Sequence, residues 1–200
     1  AMGVETTASG NLSTAMGYQS TASGQASTAM GSYTTASESG STAMGYDTTA
    51  SGLYSTAMGV ETTASGNYST AMGAGTTASG NSSTAMGFQT TASGSASTAM
   101  GTITTASGDF STSFGYYTLA SGKYSTVMGL ETAASDYNSL VIGQWNLAGS
   151  TTTNSPTEFS IDNTAFVIGN GLSWDNRGDA LVVKFNGDAT LAGNLNINSD

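Results

Sequence analysis

Asp47 and Glu61 stand fourteen residues apart. If that spacing is a structural period, the two carboxylates lie side by side and could share a hard cation through their oxygens. A calcium site takes about 6–8 oxygens, so two solvated surface acids are the plainer reading. Arg177-Gly178-Asp179 spells the integrin-binding tripeptide in a predicted loop. Its plainer reading is a polar turn ahead of a strand that starts at Ala180. Tyr18, Tyr46, Phe88, Tyr116, Tyr117 and Trp145 sit in variable positions that follow a glycine. Aromatic rings exposed at turns suit contact with a protein or a glycan. Tyr18, Tyr46, Phe88, Tyr116 and Trp145 are therefore the candidate ligand-facing residues; the alternative is packing against a neighbouring chain's edge. Catalysis has little to stand on. Histidine and cysteine are absent, which removes the usual general base, thiol nucleophile and soft metal ligands. The serines recur as part of a pattern, with no base placed to activate one. The chain reads as non-enzymatic, with no cofactor and no metal site.

The charge balance narrows the partners. The net charge is −10, and Lys123, Arg177 and Lys184 are the basic residues. That argues against nucleic acid and against anionic membrane surfaces. The apolar runs fall far below the ~20 residues a membrane helix needs. No signal peptide is visible, but Ala1 falls in mid-repeat, so the chain reads as a piece of a longer protein. Without cysteine, disulfide and Cys-zinc scaffolds are excluded. Charged residues make up 8%, with Ser, Thr, Gly and Ala dominant. A strict repeat phase argues for order rather than a flexible linker.

The repeat is what must position all of these residues. Ser13-Thr14-Ala15-Met16-Gly17 returns every fourteen residues. Its fourth slot holds Met2, Met16, Met30, Met44, Met58, Met72, Met86, Met100, Phe114, Met128 and Ile142. Halfway between lie partner pentads such as Ser20-Thr21-Ala22-Ser23-Gly24. A fixed period of this kind is the sign of a solenoid. Read as short strands, Thr14 and Met16 share one face and Ala15 takes the other. Gly17 and Gly24 are expected to end the strands in tight turns. Glu38 and Asp136 occupy the same slot as Gly24, so their turns should bend differently. Coils stacked at ~4.8 Å give a rod of roughly 50 Å for eleven coils. The alanine columns fill a thin interior that buries little apolar area, so one chain alone is marginal. The Met/Phe/Ile column faces out on one side, a stripe too large to leave in water. Packing the stripes of several chains around an axis is the simplest remedy. The outward ranks of Thr7, Ser9, Thr21 and Ser23 also resemble an ice-binding solenoid face.

The pattern Ser-Thr-Ala-Met-Gly followed by Thr-Ala-Ser-Gly resembles the YadA-like head of trimeric autotransporter adhesins over residues 1–143. That family's strand is often Ser-Val-Ala-Ile-Gly, with Val and Ile where this chain has Thr and Met. The resemblance implies a left-handed parallel β-roll with three chains side by side, the Met column on their shared axis. Handedness and the number three are implied by the family; the periodicity yields a stacked coil with one apolar side.

After the repeat the pattern loosens. Val141-Ile142-Gly143 is the last regular strand, and the next Met slot would fall on Pro156, which cannot donate to a ladder. The expected domains are a roll over 1–149, a transition over 150–157 and a small β connector module over 158–200. In the module, Ala180–Phe185 is predicted as a strand, Asn186-Gly187-Asp188 as a hairpin turn and Ala189–Ile197 as a further strand. This module resembles the segment that follows such repeats in bacterial surface and phage tail-fibre proteins. The expectation is an all-β, homotrimeric, non-enzymatic fibre outside the cell that mediates adhesion to an unidentified protein or glycan receptor. It would be anchored in an outer membrane through a further C-terminal part. The alternatives are the shaft of a phage-like tail fibre carried on a virion, and an ice-binding solenoid.

Overall fold

The structure, a computed structural model, describes residues 1–147, 149 and 155–194. Among these, all regular structure is β. The chain is a parallel β-solenoid of fourteen-residue coils. Each coil gives one strand to a 14-stranded wide sheet and one to a 10-stranded narrow sheet. Thr14–Tyr18 and Thr28–Ser32 are typical wide-sheet strands, and Thr21–Ala22 and Thr35–Ala36 typical narrow-sheet strands. The register is strict: Ala15 pairs Ala29, Met16 pairs Met30 and Gly17 pairs Gly31.

Gly24 does fall in the bend after its strand Thr21–Ala22, but Gly17 does something other than end a strand. Gly17 lies inside Thr14–Tyr18 with φ +118°. A Cβ added there would stand 1.9 Å from the carbonyl oxygen of Gly31 in the next coil. The glycine column lets successive backbones close to ladder distance at a bend that side chains do not fit. The turns themselves are made by the second variable residue of each half-repeat. From Glu5 through Leu12, Gln19 and Ala26 to Trp145, that residue is left-handed, including the β-branched Ile103 at φ 54°. Gly40 and Gly75 fill the slot in two coils. Each non-glycine stores roughly 1–2 kcal/mol of strain, held in place by ladder bonds such as Gln19 N–H to Val4 O at 2.9 Å and Tyr33 N–H to Tyr18 O at 2.9 Å.

The interior is narrow, and the alanine columns fill it as the alternation predicts. Ala15, Ala22, Ala29 and Ala36 are all 0% exposed. From Ser20 on, the leading Ser or Thr of the pentads is buried beside them, as at Ser20, Ser27, Thr34 and Ser41. Some of these hydroxyls close turns: Ser27 Oγ donates to Gly24 O at 2.7 Å, and Ser41 Oγ to Glu38 O at 2.6 Å, whereas the Thr34 hydroxyl has no hydrogen-bond partner among the described residues. Toward the C-terminal end the core widens. Ala99 pairs Ser113, then Val127, Val141 and Val167 follow in register. Ser113 shares a 2.8 Å hydrogen bond with Thr118 inside the core, and it separates an all-alanine cluster from one of Ala120, Val127, Ala134, Val141 and Val167.

The wide sheet runs on past the boundary expected near Gly149. Thr164–Asn170 pairs in parallel with Leu140–Gln144, setting Ile168 on Ile142 and Gly169 on Gly143. Ile168, not Pro156, follows Ile142 in the Met column; Pro156 O instead accepts Lys123 N–H at 2.8 Å. Asp179–Lys184 and Ala189–Leu191 then add in antiparallel order. The strand expected over 189–197 is thus found at Ala189–Leu191, and residues 195–200 lie outside the described residues, as does most of the transition expected over 150–157.

The narrow sheet stops earlier, at Ala133–Ala134. There the buried Asn146 carboxamide stands in for the next strand. Its Oδ1 accepts Ala133 N–H at 2.8 Å and its Nδ2 donates to Ala133 O at 3.1 Å. Asp136, in the glycine slot, accepts Thr164 N–H at 2.8 Å and ties the last full coil to the extension. Asn146→Ala should therefore cost about 1–3 kcal/mol per chain, read as a lower denaturation midpoint with the slope unchanged.

Candidate functional site: the outer faces and edges of the roll

No pocket occurs among the described residues, and the candidate surfaces are the faces and edges of the roll. The outer face of the wide sheet carries the methionine column. Met2, Met16, Met30 and the rest to Ile142 stack in unbroken register. In the single chain Met16 is 38% exposed and Phe114 49%. The register carries the column on through Ile168, Leu181 and Leu191. A flanking column is Thr14, Thr28 and onward to Thr126, then changes to Leu140, Phe166, Val183 and Ala189. Cross-strand partners share a face, so the apolar stripe doubles in width at its C-terminal end. The sequence signal for this was Val167-Ile168-Gly169 repeating Val141-Ile142-Gly143 after a longer connection.

The outer face of the narrow sheet is a hydroxyl lattice. Thr7, Thr21, Thr35, Thr49, Thr63, Thr77, Thr91 and Thr105 stack in register before Leu119 and Ala133 interrupt the rank.

The first turn edge holds the rings singled out above. Tyr18, Tyr46, Phe88, Tyr116 and Tyr117 are all exposed, Tyr46 to 50%. Tyr33 bridges Tyr18 and Tyr46 through edge-on contacts of 5.4 and 5.7 Å. The neighbouring Tyr18, first by charge repulsion, holds the Tyr33 hydroxyl above its ordinary pKa. Trp145 departs from the group. It is half-buried, and its carbonyl accepts Gly178 N–H at 3.0 Å. Asp47 and Glu61 do occupy one exposed column on adjacent coils, but no cluster of three metal-ligating side chains occurs among the described residues.

The second edge carries a further set of rings. Tyr54 stacks on Tyr68 at 5.6 Å and Phe110 on Tyr124 at 5.1 Å. From Tyr124 the contacts pass to Tyr137, Phe159 and Phe185, which clasps the extension to the roll. The tripeptide Arg177-Gly178-Asp179 is likewise an internal clasp, not a displayed loop. The Arg177 guanidinium donates to Glu131 O at 2.9 Å and pairs the Glu131 carboxylate at 3.4 Å. Asp179 opens a strand, is 9% exposed and accepts Leu147 N–H at 3.0 Å. An integrin needs both side chains free, so the geometry removes that reading.

Among curated proteins no relative matches the chain. The family model described as the YadA head domain repeat (2 copies) does, in overlapping matches over residues 1–118 and again over 120–144. Those matches span the coils whose Met, Ala and Gly columns build the two sheets, and by them the chain belongs to the YadA head domain repeat family.

Proposed function

We propose that this chain is the head or stalk segment of a homotrimeric, non-enzymatic surface fibre that acts in adhesion. Heads of this family are homotrimeric and belong to surface adhesins anchored in the outer membrane. The single observation that carries the reading is the methionine column, apolar, outward and unbroken in register along the wide sheet. Burying each of these side chains contributes ~1.5–3 kcal/mol gross, which a thin alanine core needs. Three left-handed rolls with their wide sheets facing a common axis meet that need. The axis residues are Met2, Met16, Met30, Met44, Met58, Met72, Met86, Met100, Phe114, Met128 and Ile142. Their trimer leaves the hydroxyl face and the turn edges to water.

Adhesive contact is then expected on the first turn edge, through Tyr18, Tyr46, Phe88 and Tyr116. Replacing Tyr18, Tyr46 and Phe88 together by serine should reduce retention of the fibre on its target surface at least tenfold, with the melting temperature shifted by only a few degrees. Unchanged retention would remove the edge as the contact surface. A collapsed melting temperature would make the rings packing residues.

A further inference from the structure

Three asparagines share one column on the second turn edge. Each opens an Asn-X-Ser triplet: Asn11-Leu12-Ser13, Asn67-Tyr68-Ser69 and Asn81-Ser82-Ser83. No other asparagine of the chain opens an Asn-X-Ser/Thr triplet with X other than proline. Such a triplet is the acceptor for N-linked sugar. The fold treats the three alike. The middle residue is left-handed in each, with φ 60°, 59° and 55°. The asparagine carbonyls are used by the next coil, accepting Ala26, Ser82 and Ala96 N–H at 2.7 Å each. Asn67 is half-buried. Asn11 and Asn81 are exposed. Asn67 Oδ1 accepts Leu53 N–H at 3.0 Å, as Asp109 Oδ1 accepts Ser95 N–H at 2.9 Å in the same column. That contact spends the amide oxygen and leaves Nδ2 available for substitution.

We propose that Asn11, Asn67 and Asn81 are attachment sites for N-linked sugar, glycosylated before the coils close. The Nδ2–C1 bond forms as the bond from C1 to the diphosphate oxygen of an activated sugar donor breaks. The diphosphate leaves with the electron pair, and the amide gives up one proton. A sugar on Nδ2 leaves the backbone bonds of the turn in place and projects from an edge, away from the wide-sheet face. The timing follows from the third residue of each triplet. The hydroxyls of Ser13, Ser69 and Ser83 are all buried, so a transferase that reads amide and hydroxyl together cannot engage the folded roll.

The test is the mass of the chain isolated from the cells that make it. Trypsin is of no use for mapping here, because no Lys or Arg precedes Lys123; elastase peptides serve instead. Sugar-sized increments are expected on peptides containing Asn11, Asn67 or Asn81, and they should vanish when all three are changed to glutamine with the melting temperature kept. Co-expression with a sequon-reading N-glycosyltransferase and its UDP-glucose supply should load the chain. Adding the same enzyme and donor to the purified folded chain should load it at least tenfold less. Unmodified asparagine at all three positions in the native chain would overturn the sites. Equal loading of folded and nascent chain would overturn the timing.

Discussion

Met58→Asp is expected to dissociate the fibre at neutral pH. Met58 pairs with Met44 and Met72 in the middle of the stripe, so on the proposed axis one substitution places three carboxylates at one level. Burying an unpaired carboxylate is costly, and such a group takes up a proton instead. Its pKa in the assembled state is therefore raised above its value in the free chain. The assembled state then binds more protons, so assembly strengthens as pH falls through that raised value and is weakest above it. The expected result is a single-chain mass by light scattering at neutral pH and partial recovery of the trimer in mild acid. Met58→Leu keeps the volume and should cost under ~1.5 kcal/mol per chain.

Gly73→Ala, like the same change elsewhere in its glycine column, is expected to be strongly damaging. Gly73 has φ +126°, and a Cβ there would stand 1.9 Å from Gly87 O. Both partners are backbone, so no rotamer change relieves the overlap. A loss of at least ~4 kcal/mol per chain is expected, in the range reserved for strain or overlap that the structure cannot absorb. Gly75→Ala, two residues on, is the contrast. Gly75 has φ +63°, its nearest neighbour would be the Gln89 side chain at 3.3 Å, and Glu61 and Gln89 already hold the same left-handed slot in the adjacent coils. Its cost should be about 1–2 kcal/mol, the ordinary strain of a left-handed residue that is not glycine. Urea denaturation of the two variants side by side separates the roles of the two glycines.

That contrast also marks how far the sequence could be read. The period, the alanine interior and the outward methionines were legible because one side-chain alternation repeats without insertion from Met2 to Ile142. The left-handed position was not. Its occupants run from Glu5 to Ile103 and Trp145, so residue type carries no signal, and the conformation is imposed by the ladder on either side. The buried Ser27 and Thr34 were hidden for a related reason. A hydroxyl beside alanine reads as surface, yet Ser27 closes a turn and Thr34 is packed inside with its hydroxyl unpartnered among the described residues. The extension at Thr164–Asn170 escaped because a longer connection breaks the period while the register survives. On the edges, Tyr18 and Tyr46 were legible as exposed rings, whereas Trp145 and the Arg177-Gly178-Asp179 clasp depend on a hairpin folding back over the last coil.

The central claim, that the methionine column lines an axis shared by three chains, is tested most directly by oxidative cross-linking of single cysteines. The chain has no cysteine of its own. A disulfide forms only where Cα atoms come within about 7 Å, so it reports close approach between copies. Met58→Cys should yield covalent pairs of the 19.9 kDa chain with a third copy held non-covalently, while Thr63→Cys, on the outer face of the narrow sheet, should yield none. Cross-linking at Thr63→Cys without cross-linking at Met58→Cys would contradict the claim and place the narrow sheet on the axis.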